Sequence, residues 1–241
     1  MTHIYSKLKP MVVLGVAAHA DDLDYYAGGS MAVFTSQGAK VYYLILTDGS
    51  KGSDDRAMTP DRLRDIRRDE QRSAAKTLGV TEVFFCDYPD GMLENTTNVK
   101  RDIVRTIRQV KPDVVVTLDP SILYVPDKGL INHPDHRAAG QATLDAVYPL
   151  ARDHMSFPEL LADGYEPHAA KTVLLANLDS ENTAFAIDVS ATIEQKIEAL
   201  GAHGSQFTVQ QMKQTLRADA AKVAAKYGCA YAEPFTRIDI A

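Results

Sequence analysis

Four short apolar runs, separated by segments long enough to form helices, restrict most strongly how this chain can fold. The runs occupy residues 11–18, 41–47, 83–86 and 114–118. A continuous apolar run bounded by polar residues indicates a strand that is buried on both faces. Such strands, alternating with helices, are typical of a parallel sheet. We therefore predict an α/β fold: a Rossmann-like three-layer sandwich with a mostly parallel central sheet.

Helices are predicted between these strands, at residues 25–37, 59–78 and 99–110, and from residue 133 to about residue 150. Residues 151–170 have no regular pattern. Further strands are predicted at 171–177 and 185–189, helices at 193–202 and 209–227, and a closing strand or hairpin at 230–240. Because no linker or repeat interrupts the chain, we predict one domain at 1–241, in which 11–150 holds the site and 151–241 completes the strands and helices.

Charge and cysteine content exclude several classes of protein. The net charge of −6 argues against unspecific nucleic-acid binding, which requires clustered Lys and Arg. The chain contains no apolar run of the roughly 18 residues that span a membrane, so we expect no membrane partner. Cys86 and Cys229 have no disulfide-framework spacing, which favours a cytoplasmic location. Apolar residues near 120–131 and 155–161 could form the interface of a homo-oligomer.

The first apolar run ends in His19-Ala20-Asp21-Asp22, and Asp24 follows two residues later. Ligands of open α/β folds bind beyond the carboxyl ends of the strands. Imidazole and carboxylate groups bind divalent metals there, and a spare carboxylate beside the metal can act as a base. Asp is also a favoured helix N-cap, so these side chains could instead cap the next helix. Both interpretations stay open for this cluster alone.

A second cluster, His133-Pro134-Asp135-His136, follows the fourth apolar run after a long loop. His136 could face a metal while His133 faces the substrate, and a carboxylate such as Asp135 can orient an imidazole. Alternatively, His133 and Asp135 only cap the helix, with Pro134 at an early helical position. Together the two clusters offer a His, Asp and His set, which leaves zinc one position for water.

The two clusters, in this order and context, resemble the LmbE/PIG-L family of zinc-dependent N-acetylglucosaminyl deacetylases. Other stretches that match the family are residues 47–49, 67–70 with Leu78-Gly79, 87–93 and 202–206. The resemblance therefore covers roughly residues 11–206. The chain departs from the family pattern at Ala20, where Pro is usual, and at Leu23, where Glu is common. Neither of these positions is an expected metal ligand.

The resemblance implies a role for each site residue. One zinc ion per chain would be held by His19, Asp22 and His136. Asp21 would be the general base that deprotonates the zinc-bound water. His133, oriented by Asp135, would stabilise the oxyanion or protonate the leaving amine.

The resemblance also implies the substrate. Arg67 and Asp90 match positions that contact the sugar in the family, although Arg67 could equally be a surface charge and Asp90 a turn residue. The implied activity is removal of the acetyl group from an N-acetylated amino sugar or glycoconjugate, with the aglycone left open. The loop at residues 119–132, which contains Tyr124, is long enough to be a lid.

One rival interpretation is a magnesium-dependent phosphohydrolase. In that class an apolar strand ends in Asp-x-Asp, and Asp22-Leu-Asp24 fits this local pattern. The rival predicts oxygen-only ligation of magnesium. It leaves the histidines of both clusters without a role.

Overall fold

The structure, a computed structural model, describes residues 3–4, 9–176 and 185–240. Its strands are β1 (His3–Ile4), β2 (Val12–Ala17), β3 (Lys40–Thr47), β4 (Glu82–Tyr88), β5 (Val114–Leu118), β6 (Tyr124–Val125), β7 (Leu130–Ile131), β8 (Thr172–Ala176), β9 (Phe185–Asp188) and β10 (Ala232–Asp239). Its helices are α1 (Asp22–Ser36), α2 (Pro60–Leu78), α3 (Thr97–Val110), α4 (Pro134–Asp145), α5 (Pro158–Ala162), α6 (Ile193–Leu200) and α7 (Val209–Ala224).

The main sheet has eight strands in the order β1-β9-β10-β8-β5-β2-β3-β4. Strands β4, β3, β2, β5 and β8 are parallel to their neighbours within this group, and β10 is antiparallel to β8 and β9. The predicted α/β fold with a mostly parallel sheet is therefore confirmed. The chain adds β3 and β4 on one side of β2 and then returns to place β5 on the other side. A reversal of this kind opens a crevice at the carboxyl ends of β2 and β5.

The helices cover both faces of the sheet. Leu14 of β2 packs in one apolar cluster with Ile103 of α3, whereas its neighbour Val13 packs in a second cluster with Met31 of α1. Successive side chains of a strand point to opposite faces, so β2 must be apolar throughout when both faces are covered. This arrangement explains why the strand was visible in the sequence as a continuous apolar run.

Helix α1 begins at Asp22, three residues before the predicted start. The acidic residues Asp22 and Asp24 form its first turn, where the positive end of the helix dipole favours negative side chains. The prediction is wrong here because acidic residues after a strand fit a loop and a helix start equally well. The shift matters, since it places part of the first cluster on a rigid helix.

Other segments also differ from the prediction. Helix α4 ends at Asp145, and the following turn at Ala146–Leu150 contains Pro149, which cannot continue a regular helix. The segment predicted as irregular contains the short helix α5, which begins with Pro158 at its first position. Strand β10 (Ala232–Asp239) is a single strand, which is one of the two forms predicted for residues 230–240. Of the strand predicted at 171–177, residue 177 lies outside the described residues.

The loop predicted as a lid contains a two-stranded hairpin formed by β6 and β7, joined by a single turn at Pro126–Lys128. Asn132 anchors its base, because its backbone N–H donates to the Leu123 carbonyl and its side-chain amide donates to the Ile122 carbonyl. Tyr124 and Ile131 are largely exposed on this hairpin. Movement of the hairpin stays a prediction.

Within the described parts of the chain, none of the helices has the length and apolar composition that a membrane crossing requires.

The close contact between α4 and β5 gives a test of the packing. A Cβ atom at Gly140 of α4 would lie 2.2 Å from the Leu118 carbonyl oxygen, which is backbone and cannot rotate away. We expect Gly140→Ala to lower the free energy of unfolding by about 1–3 kcal/mol through overpacking. The adjacent exposed variant, Gln141→Ala, should change it by less than about 0.5 kcal/mol. Urea unfolding followed by circular dichroism measures both, and an unchanged or higher stability of Gly140→Ala would contradict the close packing.

Candidate metal centre and active site

The two His/Asp clusters meet in the crevice between β2 and β5. Strand β2 leads directly into the first cluster, and α4 begins within the second. The His136 Nε2 atom lies 3.0 Å from the Asp22 Oδ1 atom, although the two residues are more than a hundred positions apart. The His19 and His136 ring centroids are 5.3 Å apart. The fold therefore brings together the groups that the sequence placed in one predicted site.

His19 is buried and contacts three carboxylates. Its Nε2 atom lies 3.2 Å from an oxygen of Asp135 and 3.2 Å from an oxygen of Asp90, and its Nδ1 atom lies 3.5 Å from Asp22 Oδ2. Burial lowers the pKa of His19, but hydrogen bonds to Asp135, Asp22 and Asp90 outweigh this effect and raise the pKa to about 12. The three carboxylates therefore favour a positive charge at this position, from the protonated ring or from a cation bound to it.

The site provides nitrogen and oxygen donors at the spacing of metal ligands. Among the described residues, two groups have ligand atoms within 4.8 Å of one another: His19, His133 and His136, and His19, Asp90 and Asp135. Asp22 contacts both His19 and His136. Mixed imidazole and carboxylate donors are those that zinc prefers in catalytic sites. The donor set therefore fits a divalent metal, and the exact ligands stay a prediction.

The charge balance also fits a bound cation. The buried carboxylates of the site are Asp21, Asp22, Asp90 and Asp135. Arg67 contacts two of them, with nitrogen–oxygen distances of 3.7 Å to Asp21 and 3.6 Å to Asp90. Buried carboxylates are costly unless positive charge compensates them. One guanidinium does not balance four carboxylates, and a divalent cation would compensate two of the three remaining negative charges.

Asp21 has an unusual backbone and a side chain that is not used as a cap. Its φ is +98°, in the region that non-glycine residues rarely adopt, and its carboxylate makes no capping hydrogen bond to α1. Its N–H donates to the Gln71 side-chain oxygen at 3.0 Å. Burial and the neighbouring Asp22 carboxylate raise the pKa of Asp21 to about 7, opposed in part by Arg67. The capping interpretation therefore does not apply to Asp21.

Asp22 is held in a different environment from Asp21. It accepts a hydrogen bond from the His19 backbone N–H at 2.8 Å and contacts the His136 ring. Burial raises the pKa of Asp22, but His136 and His19 outweigh burial and hold it well below its usual range. Asp22 therefore stays ionised readily, whereas the adjacent Asp21 holds a proton more easily.

His133 and Asp135 both contribute to the start of α4. The His133 Nδ1 atom accepts a hydrogen bond from the Asp135 backbone N–H at 3.2 Å, which makes His133 the N-cap of the helix. The Asp135 carboxylate accepts from the Gly91 and Leu93 N–H groups at 2.7 and 3.1 Å and contacts His19. The carboxylate therefore orients His19 and not His133, in contrast to the prediction. Burial and the nearby His19 lower the pKa of His133.

Arg67 of α2 is buried and joins the loops that follow β2 and β3. Its guanidinium donates to the carbonyl oxygens of Ala20, Gly49 and Lys51, at 3.0, 3.3 and 3.2 Å. The surface-charge interpretation of Arg67 is therefore wrong. These contacts hold the first cluster against the neighbouring loop, and a contact between Arg67 and a sugar stays a prediction.

Asp90 lies beside the Nε2 atom of His19, whereas Asp22 lies beside the Nδ1 atom. Its Oδ2 atom accepts a hydrogen bond from the Lys51 N–H at 3.0 Å, and its own N–H donates to the Asp48 carboxylate at 3.2 Å. Burial raises the pKa of Asp90, but His19, the Lys51 N–H and Arg67 together lower it. Asp90 is thus fixed beside the site and is more than a turn residue.

Asp24 faces away from the candidate metal centre. It is completely buried, and its Oδ2 atom accepts from Gln71 Nε2 at 2.7 Å and lies 2.9 Å from His203 Nε2. Its Oδ1 atom accepts from the Tyr43 hydroxyl at 3.2 Å. Both oxygens are therefore occupied on the side opposite to Asp22, so the paired carboxylates of the phosphohydrolase interpretation are not formed.

Two residues near the site, Tyr26 and Gln71, were not predicted from the sequence. The Tyr26 ring packs edge-on against His136 with 6.2 Å between the centroids. Gln71 lies on the same face of α2 as Leu63 and Arg67, at a spacing of four residues. A polar residue that continues an apolar stripe was the available signal for Gln71. Tyr26 gave no signal, because its contact depends on α4 reaching the site.

The fold and the site together define an α/β protein with a candidate metal centre at the crevice of a parallel sheet. The chain belongs to the family described as PIG-L: GlcNAc-PI de-N-acetylase, whose sequence model matches residues 14–147. The match includes both clusters, so the resemblance deduced from them is confirmed.

The relatives of the chain include enzymes that act on acetylated sugars. The chain is 34% identical over 195 residues to a diacetylchitobiose deacetylase of Thermococcus kodakarensis, which covers 81% of this chain and 70% of the relative. It superposes with a TM-score of 0.86 and 27% identity on N,N'-diacetylchitobiose deacetylase from Pyrococcus horikoshii, solved with its inhibitor MPG, over 95% of this chain and 84% of that one. The chain also superposes on GalB, a 4-carboxy-2-hydroxymuconate hydratase from Pseudomonas putida KT2440, with a TM-score of 0.79 and 21% identity, over 95% of this chain and 97% of that one. At this identity the likeness shows the fold alone.

The contacts of Arg67 predict that a lysine cannot replace it. Lysine keeps the charge but cannot reach three carbonyl oxygens with a planar fork. We expect Arg67→Lys to lower the free energy of unfolding by about 1–3 kcal/mol, from hydrogen bonds worth about 1 kcal/mol each. The control is Arg64→Lys, one turn earlier on α2, where the arginine pairs with the exposed Asp61 and the unfolding midpoint should not move. Equal effects of both substitutions in guanidinium unfolding would contradict the role of Arg67.

Proposed function

We propose that the protein is a zinc-dependent hydrolase that removes the acetyl group from an N-acetylated amino sugar or glycoconjugate. The observation that carries this proposal is the convergence of the two His/Asp clusters around His19, beside a carboxylate that caps no helix. Family membership supports the same reaction class. The products would be acetate and a free amine.

His19, Asp22 and His136 would hold the zinc ion, one per chain. Their support is mutual contact, because Asp22 lies within 3.5 Å of His19 and 3.0 Å of His136. Three protein ligands are the usual number in catalytic zinc sites and leave a position open. When bound, zinc supplies Lewis-acid chemistry that acidifies water and polarises an amide carbonyl.

Asp21 would accept the proton of the attacking water. It is adjacent in sequence to Asp22, yet its carboxylate is committed neither to a helix cap nor to a hydrogen bond from His19 or His136. Its side chain lies 3.7 Å from Arg67, which keeps the group near positive charge without a direct hydrogen bond. These features suit a base that must be free to take up a proton during the reaction.

His133 would donate a hydrogen bond to the developing oxyanion. Because its Nδ1 atom accepts the Asp135 backbone N–H, the neutral ring carries its proton on Nε2. An Nε2–H donor in this position can stabilise negative charge on the carbonyl oxygen. The same hydrogen bond disfavours a second proton on Nδ1, so this contact supports oxyanion stabilisation over protonation of the leaving amine.

The substrate would be a small N-acetylated sugar of the diacetylchitobiose type. This step rests on the names of the Thermococcus and Pyrococcus relatives, which both specify diacetylchitobiose. Asp90 and Arg67 would border the sugar, since Asp90 lies 3.2 Å from His19 and Arg67 lies 3.6 Å from Asp90.

Metal content and acetate release test the proposal directly. Protein purified without added metal should contain about one zinc ion per chain. It should release acetate from N,N'-diacetylchitobiose, and removal of the metal by a chelator should abolish this release until zinc is restored. Magnesium-dependent phosphate release from a phosphosugar, without zinc or acetate release, would favour the rival phosphohydrolase.

Two substitutions separate metal binding from proton transfer. Asp21→Asn should lower kcat at least ~100-fold and leave the zinc content unchanged, because the amide cannot act as a base. His136→Ala should lose zinc itself. The controls are Asp61→Asn and His154→Ala, at exposed positions that should keep both activity and zinc. Retention of most activity by Asp21→Asn would show that another group is the base.

A further inference from the structure

A cluster of buried polar side chains lies directly behind the candidate active site. Its members are Tyr43 of β3, Asp24 of α1, Gln71 of α2 and His203 of the turn after α6. Asp24 is its centre, because it accepts hydrogen bonds from Gln71 and Tyr43 and contacts His203. Asp24, Gln71 and Tyr43 have no exposed surface, and His203 is 1% exposed. None of the four side chains is one of the predicted metal ligands.

Gln71 connects this cluster to Asp21. Its Nε2 group donates to Asp24 at 2.7 Å, and its Oε1 atom accepts the Asp21 backbone N–H at 3.0 Å. The two contacts fix the orientation of the amide, since Asp24 needs a donor and the Asp21 N–H needs an acceptor. A flipped Gln71 amide would therefore lose both hydrogen bonds.

The hydrogen bond to Gln71 is made at a strained position. Asp21 has a φ of +98°, and such conformations persist only when the surrounding structure enforces them. The Asp21 carbonyl accepts from the Tyr25 N–H at 2.8 Å, which joins it to α1 on one side. Gln71 holds the other side of the same residue. The direction of the Asp21 carboxylate thus depends on two fixed backbone contacts.

We propose that Gln71 is a positioning residue that holds the general base Asp21 in its catalytic orientation, and that Asp24, itself held by His203 and Tyr43, holds Gln71 in turn. The inference rests on the proposed deacetylase function. Among the described residues, the Gln71 side chain makes hydrogen bonds to Asp21 and Asp24, neither of which is a predicted metal ligand, so it acts through the Asp21 backbone. Loss of this contact lets the strained residue relax and turns the carboxylate away from the attacking water.

The test compares the same substitution at two adjacent positions of α2. Gln71→Met removes both hydrogen bonds at nearly constant volume. Glu70→Met removes two hydrogen bonds of similar length, which the Glu70 carboxylate accepts from the N–H and the hydroxyl of Ser205, without touching Asp21. Gln71→Met weakens the contact of α2 with Asp21 and with the first turn of α1, whereas Glu70→Met weakens its contact with the turn that follows α6. Only Gln71→Met releases the base.

For the zinc-loaded enzyme we expect Gln71→Met to lower kcat by ~10–100-fold, with KM and zinc content within about twofold of the wild type. Exchange of the Asp21 amide hydrogen, measured by NMR, should become at least ~10-fold faster. Glu70→Met should leave kcat and Asp21 exchange within about twofold of the wild type.

The possible outcomes separate this inference from the proposed function. A kcat of Gln71→Met within twofold of an active wild type overturns the inference, as does an equal loss in Glu70→Met. A large rise in KM, or loss of zinc, also overturns it, because the residue would then act on substrate or metal. If the wild type releases no acetate, the proposed function fails, and Asp21 exchange alone decides: faster exchange in Gln71→Met supports the inference and unchanged exchange overturns it.

Discussion

The contact of His19 with three carboxylates is the interaction on which the site depends. Asp22, Asp90 and Asp135 come from three different segments, and each places an oxygen within 3.5 Å of the same ring. Carboxylates brought this close together repel one another unless a cation lies between them. The three segments therefore remain together only while the charge is compensated, by protonated His19 or by a bound metal with the help of Arg67. The backbone contacts of Arg67 and of Asp135 keep these loops near one another in either case.

The place of this charge cluster follows from the order of the strands. Strand β2 has later strands on both sides, so the loops after β2 and β5 open away from each other and leave room for side chains. The backbone alone does not decide the reaction, because a hydratase shares the fold at 21% identity. What distinguishes this chain is the chemistry of the side chains that border the crevice. These side chains include the two histidine clusters, which the family match covers, and the Asp21 carboxylate, which does not cap α1.

The sequence predicted the parts of the protein that depend on local pattern. Strands β2, β3 and β5 were visible because burial on both faces requires continuous apolar runs, and the clusters around His19 and His136 were visible because they follow such strands. The beginning of α1 at Asp22 was missed, since acidic residues fit a loop and a helix start equally well. The partner of Asp135 was also missed. Its carboxylate could reach either His19 or His133, and only the packing of α4 against β5 decides between them.

The buried polar cluster behind the site shows why the partners of a buried carboxylate are difficult to predict from a sequence. Asp24 lies among polar partners from three other elements, and a carboxylate at this depth is tolerated only if all of its hydrogen bonds are made. An apolar side chain would fill the same space without this requirement. A carboxylate fixes the directions of its donors as well as their positions, which an apolar contact does not do. Precise direction matters most where the next hydrogen bond holds a strained residue, and here that residue is Asp21.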